Sequence, residues 1–181
     1  TRKRLDLVDG LSILRGKELS YPIINQIPRF VDSKSYSRDF GVQWNKFAKT
    51  QLDSSTGEPL SEDRLGRCLL GHLGLIEGKR ILEAGSGAGR FTEVLLKYSA
   101  IVNSFDLSNA VEANMNNNGK KDNIEIAQAD IYNMPYLEQS YDYVICLGVL
   151  QHTPSPEKSI AHLWKMVKLG GHLIFDHYLF K

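Results

Sequence analysis

The stretch "ILEAGSGAGRFTE", residues 81–93, runs from an apolar segment through an acid and three alternate glycines into a helical pattern. The apolar segment predicts a buried strand, and the residues after the glycines predict an amphipathic helix. Gly85, Gly87 and Gly89 would allow a tight turn in which backbone N–H groups come close to a bound molecule. Taken alone, the same loop also suits a strand–helix turn that binds no ligand.

The chain after residue 79 continues to alternate between strand-like and helix-like segments. Strands are predicted at 80–85, 100–108, 123–130, 141–150 and 172–180, and helices at 89–98, 109–119 and 156–171. In the last helix we expect Trp164 to face inward, and Gly170 with Gly171 to end the helix. This alternation predicts an α/β fold, a Rossmann-like doubly wound sheet of mainly parallel strands.

The chain before residue 79 is less regular and divides into two predicted regions. Residues 1–32 predict an N-terminal extended segment with short strands, and residues 33–78 predict a helical cap or lid. Within the cap, Phe40 and Trp44 are spaced to share one face of a short helix. Residues 79–181 then form the predicted core.

Length and composition favour one ordinary globular domain of 181 residues, 42% hydrophobic and 24% charged. The net charge of +1 gives no electrostatic argument for a nucleic-acid or membrane partner. No apolar run approaches the roughly 20 residues of a membrane span. Cys68 and Cys146 lie in apolar patterns, so we expect reduced thiols, a cytoplasmic location and no metal site.

Two acids follow the glycine loop, at the ends of the next two predicted strands. Asp106 lies 21 positions after Gly85, a distance at which an acid can accept hydrogen bonds from ribose hydroxyls. Asp130 ends the third strand, where the edge of an adenine ring would lie. A nucleotide-like cofactor is therefore predicted, although Asp106 could instead cap the following helix. A dinucleotide is disfavoured because Arg90 occupies the place of the third glycine in that fingerprint.

With "FDLS" at 105–108 and the segments of 127–175 in the same order, residues 79–177 resemble the class I S-adenosylmethionine-dependent methyltransferases. The resemblance is strongest to the small-molecule group that contains the ubiquinone/menaquinone methyltransferases. It implies strand order 3-2-1-4-5, counted from residue 80, with S-adenosyl-L-methionine as cofactor and a small-molecule methyl acceptor. Residues 7–31 also resemble the tail of a small activator-type domain that precedes some methyltransferases, without its zinc-binding cysteines.

The resemblance implies a role for each residue of the cofactor site. Glu83 would lie near the amino group of the methionine part, and Arg90 would hold its carboxylate or merely solvate the helix. Asp106 would bind the ribose. The implied cofactor-binding set is Glu83, Gly85, Gly87, Gly89, Arg90, Asp106, Leu107, Asp130, Ile131, Leu147, Gly148 and Gln151.

Methyl transfer needs a general base only when the acceptor must lose a proton. His152 is the candidate base at the rim of the pocket, although a histidine of the pocket wall would fit the sequence equally well. His177, at the end of the last strand, could face the substrate. Tyr36, Phe40 and Trp44 are candidates for a lid over the cofactor, or they simply pack on the sheet.

The family's sheet usually ends in an antiparallel hairpin of strands six and seven, whereas this chain ends at Lys181, after the fifth. We expect either a shortened chain or a minimal protein that binds cofactor with weak or no turnover. The uncovered edge of the fifth strand could pair with another chain and form an oligomer.

Three other functions are possible for a chain with these motifs. A non-catalytic module could use the same fold to hold S-adenosylmethionine or contact a partner protein, and would show no turnover. A nicotinamide-dependent oxidoreductase is disfavoured by Arg90, and an RNA methyltransferase by the lack of a basic face.

Overall fold

The computed structural model describes residues 6–7, 13–15, 20–31 and 45–178. The three lid candidates Tyr36, Phe40 and Trp44 lie outside these residues, so their role stays a prediction. The division of the chain at residues 32 and 78 also stays a prediction.

Among the described residues before the core, four short strands form an antiparallel sheet in the order β1-β2-β3-β4. They are β1 (Asp6–Leu7), β2 (Ile13–Arg15), β3 (Ser20–Ile24) and β4 (Ile27–Pro28). In the described residues from 53 onward, helices α1 (Asp53–Thr56) and α2 (Leu60–Cys68) precede a 3-10 turn, Leu73–Ile76. The Asp53 carboxylate caps α2 from the preceding helix, since it accepts hydrogen bonds from the backbone N–H groups of Ser61 and Glu62, each at 2.9 Å.

The core is a five-stranded parallel sheet in the order β7-β6-β5-β8-β9. Its elements are β5 (Arg80–Ala84), α3 (Arg90–Lys97), β6 (Ile101–Asp106), α4 (Val111–Asn118), β7 (Ile124–Gln128), β8 (Tyr141–Cys146), α5 (Pro156–Met166) and β9 (Val167–Phe175). Counted from β5, this is the order 3-2-1-4-5, so the predicted α/β class and strand order are confirmed.

Apolar side chains cover both faces of this sheet, because alternate residues of a strand point to opposite faces. Ile81 belongs to a cluster with α2 and α3, whereas its neighbour Leu82 belongs to a second cluster with α5. Burial on both faces explains why adjacent positions of β5 and β8 are both apolar, as in Ile81 with Leu82 and Val144 with Ile145. None of the described helices is both long and apolar enough to cross a lipid bilayer.

The end of the last helix differs from its prediction. The helix stops at Met166, and Val167 already pairs with Tyr141 at the start of β9. The next pair of partners is His172 with Tyr143, so β9 carries an irregularity that contains Gly170 in a left-handed conformation. The predicted inward position of Trp164 is wrong, since this side chain is 58% exposed.

The N-terminal strands are joined to the core at the outer edge of β7. Arg29 forms an isolated parallel bridge with Gln128, and the N–H of Phe30 donates to the Gln128 carbonyl at 2.8 Å. The buried Arg29 guanidinium also donates to the Gln128 side chain and the Ile24 carbonyl, each at 3.2 Å, and pairs with Glu112. The β3–β4 hairpin therefore covers this edge of the sheet.

Candidate functional site

A cavity of about 320 Å³ lies beyond the carboxyl ends of β5, β6, β7 and β8. Parallel α/β sheets bind their ligands at this edge, near the point where the strand order reverses. Ten residues of the predicted site line the cavity together: Gly85, Gly87, Arg90, Asp106, Leu107, Asp130, Ile131, Leu147, Gly148 and His152. Four others of the described residues, Glu83, Gly89, Gln151 and His177, are not part of its lining.

The glycine loop turns sharply over the end of β6. Gly85 and Gly87 both have positive φ, at 75° and 53°, and the Gly85 N–H donates to the Phe105 carbonyl at 2.8 Å. A Cβ at Gly85 would lie 2.3 Å from Cγ2 of Val149, so no side chain fits there. Between the two glycines, the buried Ser86 Oγ has no hydrogen-bond partner among the described residues, although it lines the cavity. A ligand in the cavity could supply that partner.

Gly89 faces away from the cavity and packs against α4. A Cβ at this position would lie 2.2 Å from Asn114 Oδ1 and 2.4 Å from Asn118 Nδ2. Its φ of 90° is a second reason for glycine. The third glycine of the loop is thus required by helix packing, and its predicted contact with a cofactor stays untested.

Glu83 lies beneath the loop, 2% exposed, on the face of β5 that carries Ile81. Its Oε2 accepts hydrogen bonds from the hydroxyls of Thr92 and Ser104, the latter at 2.8 Å. Its Oε1 has no partner among the described residues. Burial raises the pKa of Glu83 to about 7, and the negative charge of Asp106 adds to that rise.

Asp106 holds two loops in place at the end of β6. Its Oδ2 accepts from the Gly87 N–H at 2.9 Å, and its Oδ1 accepts from the N–H and hydroxyl of Ser108 at 2.8 and 2.7 Å. Helix α4 begins only at Val111, so Asp106 orders the turn before the helix and does not cap its first residue. Oδ1 thus accepts two hydrogen bonds, whereas Oδ2 accepts one and keeps a lone pair with which Asp106 can accept from a ligand hydroxyl.

The far wall of the cavity is built on the end of β7. Oδ1 of Asp130 accepts from the Tyr132 N–H at 3.0 Å and starts a 3-10 turn, Ile131–Asn133. The Gln128 side chain donates to the Leu107 carbonyl at 2.9 Å and so supports the loop after β6. Leu107, Asp130 and Ile131 line the cavity, so this wall combines two apolar side chains with one carboxylate.

Two arginines of the lining, Arg64 and Arg90, lie near each other and near the residues that follow β9. Arg90 stacks on the Phe91 ring at 4.3 Å and donates to the Gln51 side chain at 3.1 Å, while its Nε has no partner in the described part of the chain. Burial lowers the pKa of Arg90, and the neighbouring positive charge of Arg64 lowers it further. Arg64, on α2, bonds to Asp176 and Tyr178 after β9.

Sequence reasoning missed Arg64. It lies in the charged pattern "SEDR", which is also typical of a solvated helix face. Only the tertiary fold turns it towards the glycine loop, 21 positions along the chain. The segment just before α1 also lines the cavity, through Ala48, Gln51 and Leu52. Sequence reasoning missed these residues for the same reason.

The loop after β8 closes the cavity on its remaining side. The N–H of Gly148 donates to Asp176 at 2.6 Å, which ties this loop to the end of β9. His152 lies exposed at the rim, with its Nε2 3.3 Å from Nε2 of Gln151. His177 is exposed and outside the lining, so its predicted contact with substrate gains no support from this arrangement.

The charges of the lining are separated along the sheet. Arg64 and Arg90 lie towards β5 and β9. Asp106 is the last residue of β6, and Asp130 directly precedes the 3-10 turn after β7. A complementary ligand carries an anionic group at one end and hydroxyl or amino donors at the other, joined by a less polar middle.

Comparison with known proteins agrees with this site. Residues 82–175 match the family model described as a methyltransferase domain. This match covers more than half of the chain and contains four of the five core strands whole, together with the last three residues of β5. The chain belongs to the methyltransferase-domain family.

Among curated proteins, the ubiquinone biosynthesis O-methyltransferase of Coxiella burnetii is 31% identical over 103 residues, 56% of this chain and 44% of that protein. The chain therefore matches less than half the length of this relative. A solved S-adenosyl-L-methionine-dependent methyltransferase of Methanococcus maripaludis shares the fold, with a TM-score of 0.63, 18% identity and coverage of 81% and 66% of the two chains. The N-methyltransferase NodS of Bradyrhizobium japonicum, solved with S-adenosyl-L-homocysteine, has a TM-score of 0.56, 25% identity and coverage of 63% and 60%.

Proposed function

We propose that the cavity binds S-adenosyl-L-methionine and that the protein transfers its methyl group to a small-molecule acceptor. The observation that carries this proposal is the separation of charge in the lining, with two arginines near the residues that follow β9 and two carboxylates at the ends of β6 and β7. S-adenosylmethionine has the matching polarity, since its carboxylate and its ribose and adenine donors lie at opposite ends. Family membership supports the same cofactor.

Unsatisfied polar groups in the cavity are consistent with this cofactor. The Ser86 hydroxyl and Arg90 Nε are buried groups without partners among the described residues, and both belong to lining residues. In our proposal Arg64 or Arg90 binds the carboxylate, Asp106 accepts from the ribose hydroxyls, and Asp130 accepts from the adenine amino group. Leu107 and Ile131 would contact the faces of the adenine ring.

The bound cofactor would supply a methyl group already activated by a sulfonium. The protein's own contribution is then to hold the acceptor in line and to keep water away from the reacting atoms. A curated relative that matches part of the chain is an O-methyltransferase, so we propose a hydroxyl acceptor. A hydroxyl must lose its proton, and His152 at the rim is the candidate base.

Three further parts of the proposal concern the protein's setting. We place it in the cytoplasm, because Cys146 is a buried free thiol and Cys68 is a free, half-buried one. We propose self-association through the outer edge of β9, where Leu169 and Phe175 are exposed. We expect no nucleic-acid partner, because the net charge is only +1.

The binding test uses two probes that differ at one end. S-adenosylhomocysteine carries both the amino-acid and the nucleoside parts, and adenosine carries only the second. Arg64→Gln should raise the Kd of S-adenosylhomocysteine about ten-fold or more and leave that of adenosine unchanged. Asp130→Asn should weaken both probes. Arg67→Gln, which changes an exposed arginine of the same helix, is the matched control.

Calorimetry of the wild type and these three variants decides the matter. If the wild type binds neither probe, the proposed cofactor is wrong. If Arg64→Gln weakens adenosine as strongly as S-adenosylhomocysteine, the assignment of the two ends is wrong. Binding without methyl transfer to any of a panel of phenols, alcohols and amines would favour a non-catalytic S-adenosylmethionine-binding module.

A further inference from the structure

Helix α4 presents asparagines to the protein interior where an amphipathic helix would present apolar side chains. Asn114, Asn117 and Asn118 are spaced at i, i+3 and i+4, so they share one face. Asn114 and Asn118 are buried, and Asn117 is half-buried. Buried amides are costly unless they are hydrogen-bonded, so their partners indicate what this face does.

Two of these asparagines hold the back of the glycine loop. The Asn118 amide donates to the Gly89 carbonyl at 3.0 Å and to Asn114 Oδ1 at 2.9 Å. The Asn114 amide donates to the hydroxyls of Thr92 and Ser104, at 3.1 and 3.0 Å. Both hydroxyls in turn donate to Glu83 under the loop. Helix α4, the glycine loop and strand β5 therefore share one buried polar network.

Asn117 makes a different pair of contacts. Its Nδ2 donates to the Ala88 carbonyl of the glycine loop at 2.9 Å and to the Ala48 carbonyl, in the segment before α1, at 3.0 Å. Both alanines line the cavity, whereas Asn117 does not. One amide group thus uses its two hydrogens to join two walls of the cavity that are 40 residues apart in sequence.

We propose that Asn117 is a positioning residue that couples residues 48–52, the segment just before α1, to the glycine loop. It acts through two backbone carbonyls and does not touch the ligand. When both hydrogen bonds are made, residues 48–52 and the glycine loop are held at the spacing that a ligand of this cavity requires. The identity of the ligand used as probe rests on the proposed function, but the coupling itself does not.

The sharpest substitution is Asn117→Asp, which keeps the shape and replaces the two donors with acceptors facing two carbonyl oxygens. Asn117→Ala removes the donors without adding a charge. Asn116→Asp makes the same chemical change one residue away, at an exposed position of the same helix, and is the matched control.

The first measurement is hydrogen–deuterium exchange of the unliganded protein. Asn117→Asp and Asn117→Ala should speed exchange about ten-fold in both residues 48–52 and residues 86–89, and leave β6 unchanged. Asn116→Asp should match the wild type. Faster exchange in only one of the two segments, or in neither, would overturn the coupling.

The second measurement is the Kd of S-adenosylhomocysteine, which should rise about ten-fold in both Asn117 variants. If the wild type does not bind this probe, the proposed function fails while the exchange result still decides the coupling. Should both variants fail to fold, wild-type exchange at increasing urea is decisive. Residues 48–52 and 86–89 should then show one common opening free energy, and two distinct values would refute the proposal.

Discussion

The buried carboxyl of Glu83 predicts an unusual dependence of stability on pH. Its pKa is raised by burial from the ordinary value of 4.5 to about 7 in the folded chain. Between these two values the folded state keeps a proton that the unfolded state has released. Stability from this group is therefore highest at low pH and falls as the pH rises through that window.

The size of the effect follows from the same two values. Each pH unit between 4.5 and about 7 lowers the free energy of unfolding by about 1.4 kcal/mol, because the folded state there binds one more proton than the unfolded state. Integrated between pH 5 and pH 8, Glu83 should lower the free energy of unfolding by about 2.5 kcal/mol. Glu83→Gln keeps the acceptor for Thr92 and Ser104 and removes the titration.

Urea denaturation at pH 5, 6, 7 and 8 tests this prediction. The wild type minus Glu83→Gln difference in unfolding free energy should fall by about 2.5 kcal/mol across the series, while all other titrating groups cancel. Glu77→Gln removes an exposed carboxylate just before β5 and controls for the change in net charge. A difference that stays constant within about 0.5 kcal/mol, or that rises with pH, would refute the reasoning.

Two further substitutions test the turn and the N-terminal hairpin. Gly85→Ala places a Cβ 2.3 Å from Val149 in a backbone with φ of 75°. We expect denaturation to show a loss of about 2 kcal/mol of stability and calorimetry to show a loss of S-adenosylhomocysteine binding. Near-wild-type stability and binding would contradict the geometry. Arg29→Met leaves the half-buried Glu112 without its cation and should cost about 2 to 3 kcal/mol in urea denaturation. An unchanged midpoint would show that the hairpin does not stabilise the core.

The core of the fold was predictable because its signals are local. β5 and β8 contain adjacent apolar residues, and mostly apolar strands between helical segments predict a parallel sheet with both faces covered. The end of α5 was not predictable in this way, because the apolar spacing continues through Val167. That residue instead joins β9, where its pairing with Tyr141 is a contact between distant parts of the chain.

The site divides in the same manner. Residues that sit at the ends of predicted strands, such as Asp106 and Asp130, could be placed at one edge of the sheet from topology alone. Arg64 could not, because its helix reaches the cavity only through packing against α3. The glycine pattern was found, but the reason for its third glycine was not, since that reason lies on another helix.

This third glycine shows how a local motif and a distant helix depend on each other. Gly89 has no room for a side chain because Asn114 and Asn118 fill the space behind it. The cost of burying those amides is offset because the loop supplies the Gly89 carbonyl and α3 supplies the Thr92 hydroxyl as hydrogen-bond acceptors. A larger residue in the loop or an apolar residue on α4 would each leave the other side unsatisfied. The polar face of α4 is therefore better understood as part of the glycine loop than as a defect in helix amphipathicity.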